Sequence, residues 1–253
     1  PMSSAVWSTP HDVMLQFPAM TLIRFFKNHG FLNLVGQPQW RTCEGGSQQY
    51  RDKIMTIING KVLINHGVKS VRRFSDQVEV TDTKGQKVLF DKVLLASHAD
   101  ESLEILGDAN TLENSLLSTF RYQPNQVTLH TDDSIMPRLR RVWSSWNYRV
   151  GHDRKITTIY WMNLLQGVSK KKDYFLSVND PGHIDPTKII WKRMYTHPVY
   201  SVASQRAQGQ LQDLNKDGRV FFAGAYFRYG FHEDGLMSGV LAARAISGEN
   251  LWN

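Results

Sequence analysis

A polar cluster, His232-Glu233-Asp234, lies between a predicted strand and a predicted helix near the end of the chain. Imidazole and carboxylate side chains, such as those of His232 and Glu233, can both exchange protons with a bound ligand. Asp234 is predicted to be the N-cap of a helix over residues 235–247, whose first N–H groups attract negative charge. The cluster therefore predicts a site for a ligand that is, or becomes, anionic. A purely structural role, with His232 packed in the loop and Glu233 facing solvent, stays open.

The flanking elements would position this cluster. Residues 220–223 are predicted to form a short buried strand, and residues 224–233 a loop punctuated by glycine. One side of the following helix has little bulk, because it carries Gly235, Ser238, Gly239, Ala242, Ala243 and Ala245. Such a side can lie against a flat ligand, although tight helix packing alone would explain the same pattern.

Two further segments place small residues where a ligand could approach. Gly45-Gly46-Ser47 predicts a tight turn with bare backbone whose Ser47 caps a helix over residues 48–58, and a plain turn is the alternative. Residues 91–98 are predicted to form a continuously apolar strand of the kind covered on both faces, with Ala96 and Ser97 near its end. Around it we predict strands 62–65, 68–74, 77–82 and 86–90, and helices 101–106 and 112–117.

The middle of the chain predicts a largely antiparallel sheet. Segments rich in β-branched and aromatic residues recur between turn signals at 127–131, 142–148, 156–162, 174–178 and 189–195. Trp143, Trp146, Tyr148 and Tyr160 could form an aromatic substrate cage there, but aromatic strand residues more commonly belong to a core. A helix is predicted over residues 199–214.

The composition of the chain argues against several classes of function. The 253 residues carry a net charge of +7, but the basic residues are scattered, which argues against a nucleic-acid partner. The single cysteine, Cys43, excludes an internal disulfide framework and multi-cysteine metal sites. No helical His pair and no Gly-x-Ser-x-Gly elbow occurs, so metal and Ser-hydrolase chemistry have little support. The first residues of the sequence do not form the charged-then-apolar pattern of a signal peptide, and we expect a cytoplasmic protein.

The sequence resembles the flavin-dependent amine oxidase superfamily. Within it, the sequence is most similar to a branch of predicted NAD/FAD-binding proteins associated with cyclopropane fatty-acid synthases. Matching segments span nearly the whole chain, and they are residues 40–50, 129–132, 136–137, 143–148, 160–166, 197–198 and 222–239. The run 230–235 and the Trp-x-x-Trp-Asn-Tyr block at 143–148 are the most specific of them.

The resemblance implies an α/β (α+β) fold in which a partial, Rossmann-like FAD-binding domain is entwined with a substrate domain on a mostly antiparallel sheet. It places Gly224 beside the ribityl chain, Asp234, Gly235, Leu236 and Ser238 near the isoalloxazine ring, Val68 by the adenine, and Ala96 and Ser97 near the adenosine half. Many relatives have an acidic residue where this chain has Ala225. The expected cofactor-binding residues are Gly45, Gly46, Ser47, Val68, Ala96, Ser97, Gly224, Ala225, Asp234, Gly235, Leu236 and Ser238.

The implied function is that of an FAD-dependent oxidoreductase, which transfers hydride from a C–H bond of a small organic, lipid-related substrate to flavin. The resemblance makes His232 and Glu233, the residues closest to the ring, the candidate catalytic residues for proton handling. No GxGxxG follows a first strand, so we expect that an N-terminal dinucleotide-binding segment is missing. The alternative is a non-catalytic fragment or binding module that cannot hold FAD alone. Association with lipid or a membrane surface is a further open expectation. The expected domain parts are 1–39 (substrate, helical), 40–105 (FAD-binding), 106–198 (substrate sheet) and 199–253 (C-terminal FAD-binding).

Overall fold

The computed structural model describes residues 2–7, 14–15, 17–36, 38–39, 41–58, 60–151, 156–216 and 218–249. Trp40, which opens one of the matching segments, lies outside the described residues. The chain folds as two compact units. Unit 1 comprises Pro1–Leu15, His29–Lys61 and Gln123–His197, and unit 2 comprises Gln16–Asn28, Val62–Tyr122 and Pro198–Asn253.

The helices are α1 (Met2–Trp7), α2 (Ala19–Asn28), α3 (Gln48–Ile57), α4 (Ala99–Ile105), α5 (Thr111–Leu117), α6 (Met162–Gln166), α7 (Val202–Gln208) and α8 (His232–Ser247). The strands are β1 (Val68–Arg73), β2 (Val78–Asp82), β3 (Lys87–Phe90), β4 (Val93–Leu95), β5 (Arg121–His130), β6 (Trp146–Val150), β7 (Ile156–Trp161), β8 (Phe175–Val178), β9 (Ile189–Val199) and β10 (Val220–Phe222). Short 3-10 turns span Arg140–Val142, Pro186–Lys188, Leu211–Asn215 and Ala225–Phe227. Within the described ranges, no helix is long and apolar enough to cross a membrane.

Unit 1 is built on a sheet with the strand order β6-β7-β8-β5-β9. The pairs β6–β7, β7–β8 and β8–β5 are antiparallel. A core of Ile135, Met136, Ile159, Phe175 and Ile184 covers one face. This mixture of helices and antiparallel strands confirms the predicted fold class.

The predicted strand 142–148 begins later than expected. Arg140–Val142 is a 3-10 turn, and β6 starts only at Trp146. The Asn147 side chain explains the delay, because its Oδ1 accepts the N–H of Ser144 and its Nδ2 donates to the Ser144 carbonyl. These local bonds fold the chain back at residues 144–145, immediately before β6, and so compete with an earlier start of strand pairing.

Unit 2 contains two kinds of sheet. Strands β1, β2 and β3 form an antiparallel meander, as predicted, whereas β4 and β10 pair in parallel. The core includes Val71, Leu95, Leu117 and Phe222, all nearly inaccessible to solvent. The strand predicted at 62–65 is wrong: the chain turns there, and Asn65 takes a left-handed backbone conformation with φ of 60°.

The two edges of the β4–β10 pair differ. On the β10 side, the buried Asn215 amide donates to the Phe222 carbonyl at 2.9 Å and accepts the Phe222 N–H at 2.8 Å. On the β4 side, Val93 N–H and the Leu95 carbonyl bond towards β10, so the N–H and carbonyl of Leu94 point to the opposite edge. Among the described residues, no strand pairs with that edge.

Candidate functional site

The carboxyl ends of β4 and β10 lie together, because parallel strands end at the same edge of a sheet. The N–H of Ala223 donates to the Leu95 carbonyl at 2.9 Å and fixes this register. Ala96 and Ser97 follow β4, and Gly224 follows β10, so the structure brings these three predicted residues to one edge. In open α/β sheets, ligands bind outside the carboxyl ends of the strands.

Gly224 is closely surrounded by its neighbours. A Cβ atom at this position would lie 2.5 Å from Cε1 of Tyr226 and 3.4 Å from the Ser97 carbonyl oxygen. The Gly224 N–H donates to Ser238 Oγ at 2.9 Å, and this hydroxyl donates in turn to the Gly235 carbonyl at 2.7 Å. The backbone after β10 is therefore tied directly to the first turns of α8.

Helix α8 begins earlier than predicted. It starts at His232, which makes Asp234 its third residue and not its N-cap. The reason is that the Asp234 carboxylate reaches backwards and accepts the N–H groups of Phe231 at 3.0 Å and Tyr229 at 3.2 Å. Asp234 is buried, and the Phe231 ring stacks on Phe25 at 5.6 Å. The carboxylate thus caps the loop that precedes the helix.

The N-terminal half of α8 presents an open, apolar surface. His232 and Glu233 are exposed, as are Leu236 and Met237. A Cβ atom at Gly235, or at Gly239 one turn later, would meet nothing within 4 Å. Within unit 2, a flat apolar group can therefore approach the helix here. An electron-rich edge of that group would also be attracted to the positive end of the helix dipole.

Three tyrosines that the sequence analysis did not single out lie in the same unit. The buried hydroxyls of Tyr200 and Tyr226 have no hydrogen-bond partner in the described structure. Tyr122 accepts the Ala99 N–H at 3.1 Å, and its ring stacks on His98 at 4.2 Å. Burial raises the pKa of all three hydroxyls, so they stay neutral at physiological pH. Tyr226 is therefore a neutral donor beside Gly224.

The other predicted cofactor residues belong to other elements of the chain. Val68 begins β1 and is partly exposed. Gly45 and Gly46 belong to unit 1, where both adopt positive φ in a turn closed by the bond from Gly46 N–H to the Cys43 carbonyl at 2.9 Å. Ser47 occupies the N-cap position of α3, but its side chain makes no capping hydrogen bond.

The aromatic residues of unit 1 lie on two faces of its sheet. Trp146 stands opposite Tyr160 in the β6–β7 pair, with ring centroids 5.4 Å apart, and Tyr148 follows on the same face. Trp143 packs on the other face, where its ring contacts Trp161 at 5.2 Å. The structure thus brings Trp146, Tyr148 and Tyr160 together and separates Trp143 from them.

Among the described residues, no three His, Cys, Asp or Glu side chains are grouped closely enough to hold a metal ion. In the first turn of α8, His232 and Glu233 are the titratable side chains that are exposed to solvent, whereas Asp234 is buried.

Replacing Gly224 with alanine is expected to lower the stability of unit 2 by about 1–3 kcal/mol, since the new methyl group would overlap the buried Tyr226 ring. Thermal unfolding followed by circular dichroism measures the change. Gly209→Ala is the matched control, because its methyl group would make only an ordinary contact at 3.6 Å with the Arg206 carbonyl. An unchanged melting temperature for G224A would contradict the close packing described above.

Comparisons with solved structures identify the fold. A fatty acid isomerase from P. acnes that produces CLA superposes with a TM-score of 0.56 at 14% identity, over 79% of this chain and 52% of that chain. Putrescine oxidase bound to putrescine gives 0.55 at 11% identity, over 81% and 53%. Cyclohexylamine oxidase from Brevibacterium oxydans IH-35A gives 0.53 at 15% identity, over 79% and 52%. The chain spans about half the length of these structures.

A sequence search among curated proteins found no match. At the level of protein families, residues 2–137 match the flavin containing amine oxidoreductase family. This match covers more than half of the chain, and the solved structures described above share the fold of this chain. The chain belongs to the flavin-containing amine oxidoreductase family.

Proposed function

We propose that this chain is part of an FAD-dependent oxidoreductase that removes hydride from a C–H bond of a small organic substrate. The observation that carries the proposal is the carboxyl edge of β4 and β10 beside the open first turns of α8. Family membership implies a flavin, typically FAD, and flavin supplies the hydride acceptor when it is bound. The residues of this chain bind and orient it.

The residues present fit such a ligand. Gly224 and Ala225 would hold the ribityl chain, where the unpartnered hydroxyl of Tyr226 is a donor for a polar group. Gly235, Leu236 and Ser238 would lie against the ring, because Gly235 leaves open space and Leu236 is exposed. Asp234 would act as a positioning residue, since its carboxylate is already used by backbone N–H groups.

Further roles belong to the same proposal. Val68 would approach the adenine, Ala96 and Ser97 the adenosine half, and Gly45, Gly46 and Ser47 would offer bare backbone to the cofactor. His232 and Glu233 would handle protons, which their exposure permits. The proposed FAD-binding parts, residues 40–105 and 199–253, include most of unit 2.

The aromatic face of unit 1 is the proposed substrate surface. Trp146, Tyr148 and Tyr160 would contact the substrate, and Trp143 would support them by packing on the opposite face. A lipid-related substrate agrees with the fatty acid isomerase among the similar folds. We also propose the finer placement in the branch associated with cyclopropane fatty-acid synthases, residence in the cytoplasm and association with lipid surfaces.

A dinucleotide-binding segment from outside the 253 residues is the proposed partner in holding the cofactor. No strand in the described ranges pairs with β4 at Leu94, and the Leu94 side chain is 38% exposed, although parallel sheets are covered on both faces in known folds. Helix α3 has no buried residue, and it exposes Tyr50, Ile54 and Met55. These apolar surfaces favour the second candidate function, in which the chain alone is a binding module without bound FAD.

Titration of FAD into the purified chain, followed by flavin fluorescence, separates the two candidates. We expect weak binding to the chain alone and stoichiometric flavin in a longer protein that contains a GxGxxG segment. Stoichiometric binding by the chain alone would refute the need for the partner. A longer protein that stays colourless after FAD addition would refute the flavin function.

Gly235→Leu tests the ring site independently of stability. The leucine would fill the open space beside α8, so we expect at least tenfold weaker FAD binding in the longer protein. The unfolding free energy should rise by up to about 1 kcal/mol, because leucine favours helix over glycine. Ala245→Leu, an exposed position further along the same helix, is the control and should keep its flavin. Full flavin affinity in G235L would contradict the ring placement.

A further inference from the structure

A cleft lies in unit 1 along the edge strand β6, and Tyr148 lines it together with residues from the sheet face opposite Trp146 and Tyr160. Its volume is about 410 Å³, within the range of small-molecule pockets. Ile135, Met136 and Ile159 form an apolar floor, and each is at most 6% exposed. The cleft can therefore accommodate an apolar chain next to residues that are already ordered by the core.

Two arginines, Arg138 and Arg149, line the same cleft. Arg149 lies on β6, two residues after Asn147, so both share the face of Ile159, the residue opposite Asn147 in the β6–β7 pair. Neither arginine has an acidic partner within the described part of the chain. The cleft thus combines an apolar floor with two guanidinium groups whose charge is not neutralised by those residues.

Other charged residues near the cleft do have partners of opposite charge, unlike Arg138 and Arg149. Arg140 makes a bidentate pair with Asp173, at 2.7 and 2.9 Å, and its guanidinium lies over Trp143 and Trp161. Asp132 is held by Lys188 at 3.0 Å. Arg140 and Asp132 therefore each have a charged partner of their own, and neither pairs with Arg138 or Arg149.

We propose that this cleft binds an amphipathic anion, with a carboxylate head at Arg138 and Arg149 and a short apolar chain over Ile135, Met136 and Ile159. The planar guanidinium fork matches a carboxylate in charge and shape. Burial of successive methylene groups adds affinity on the apolar floor. The cleft shares only Tyr148 with the proposed substrate surface, and octanoate binding can be measured without flavin, so a failure of this proposal is distinguishable from a failure of the proposed function.

Ligand-observed NMR with sodium octanoate tests the proposal. Acetate carries the head without the chain, octanol carries the chain without the charge, and inorganic phosphate tests an anion of another shape. We expect octanoate to bind at least tenfold more tightly than each of the other three. Phosphate or acetate binding as tight as octanoate would overturn the role of the apolar floor, and equal binding of octanol would overturn the role of the arginines. Absence of octanoate binding would overturn the site.

Arg138→Gln and Arg149→Gln should each weaken octanoate binding about tenfold, the loss expected for a hydrogen bond between charged groups. Arg141→Gln is the control, because Arg141 is exposed in the same segment, does not line the cleft and changes the net charge equally. Its affinity should stay within about twofold of wild type. Circular dichroism checks that each variant folds. Equal affinities of all three variants would place the ligand elsewhere and refute the assignment.

Discussion

Replacing Asn215 with leucine is expected to lower the unfolding free energy of unit 2 by about 2–5 kcal/mol, because it leaves both backbone groups of the buried Phe222 without partners. Leucine has nearly the shape of asparagine, so the change removes hydrogen bonds and leaves little cavity. Thermal unfolding measures the loss, and hydrogen exchange at the Phe222 amide should accelerate by a similar free energy.

The matched control is Gln212→Leu in the same 3-10 turn. Gln212 is exposed, so its replacement adds an apolar side chain without breaking a buried hydrogen bond. We expect a change within about 0.5 kcal/mol for this surface position. Equal stability of N215L and Q212L would show that the Asn215 amide does not hold the edge of β10.

Acidification from pH 6.5 to 4 is expected to cost unit 1 about 3 kcal/mol through one buried histidine, His130. Burial lowers its pKa to about 4, against the opposing charges of Asp132 and Asp180. In the unfolded chain His130 binds a proton near pH 6.5, whereas in the folded chain it does so only near pH 4. Its contribution to the unfolding free energy is therefore full at neutral pH and is lost as the pH falls. The neutral ring accepts the Asp132 N–H at Nδ1, which leaves Nε2 to donate to Ser177 Oγ at 2.8 Å.

Urea unfolding at several pH values, followed by tryptophan fluorescence, measures this dependence, since Trp143, Trp146, Trp161 and Trp191 all lie in unit 1. His130→Gln should flatten the pH dependence between pH 6.5 and 4. The exposed His183 is the control, and H183Q should keep the wild-type slope. A wild-type slope in H130Q would contradict the assignment.

Asp132 also makes the unfolding free energy of unit 1 fall on acidification, but at lower pH than His130. Burial opposes its ionisation, but hydrogen bonds from the N–H of Asp185, from Lys188 and from Ser134 outweigh burial and hold its pKa well below the ordinary value. Its contribution is therefore present above about pH 3.8 and fades only below it. The two windows meet near pH 4, so comparison of the wild type with H130Q, which removes only the first, separates them.

Sequence patterns predicted the strands around the candidate site well. The apolar runs in β4 and β10 have no polar alternation, which indicates parallel strands covered on both faces, and Gly224 follows where the backbone must pass Tyr226. The start of α8 was predicted three residues too late, because a carboxylate can cap a helix from its third residue as well as from the N-cap.

Some features of the structure could not be predicted from the pattern of apolar and polar residues in the sequence. The helix predicted over residues 199–214 divides into α7 and a 3-10 turn, and Asn215 at the end of that turn serves a strand that comes later in the chain. Tyr200 and Tyr226 are single residues whose burial is decided by tertiary packing. Trp143 precedes β6 by three residues, so strand alternation could not reveal which face it joins.

The closed edge at Asn215 also bears on self-association. An unpaired strand edge invites pairing with another chain, and chains with two such edges can add neighbours without limit. In the described part of unit 2, no strand pairs with β4 at Leu94, whereas Asn215 already occupies both backbone groups of Phe222 on the β10 side. Two copies that met through Leu94 would consume the edge on both sides. The Asn215 amide would still keep a further copy from pairing with β10 at Phe222.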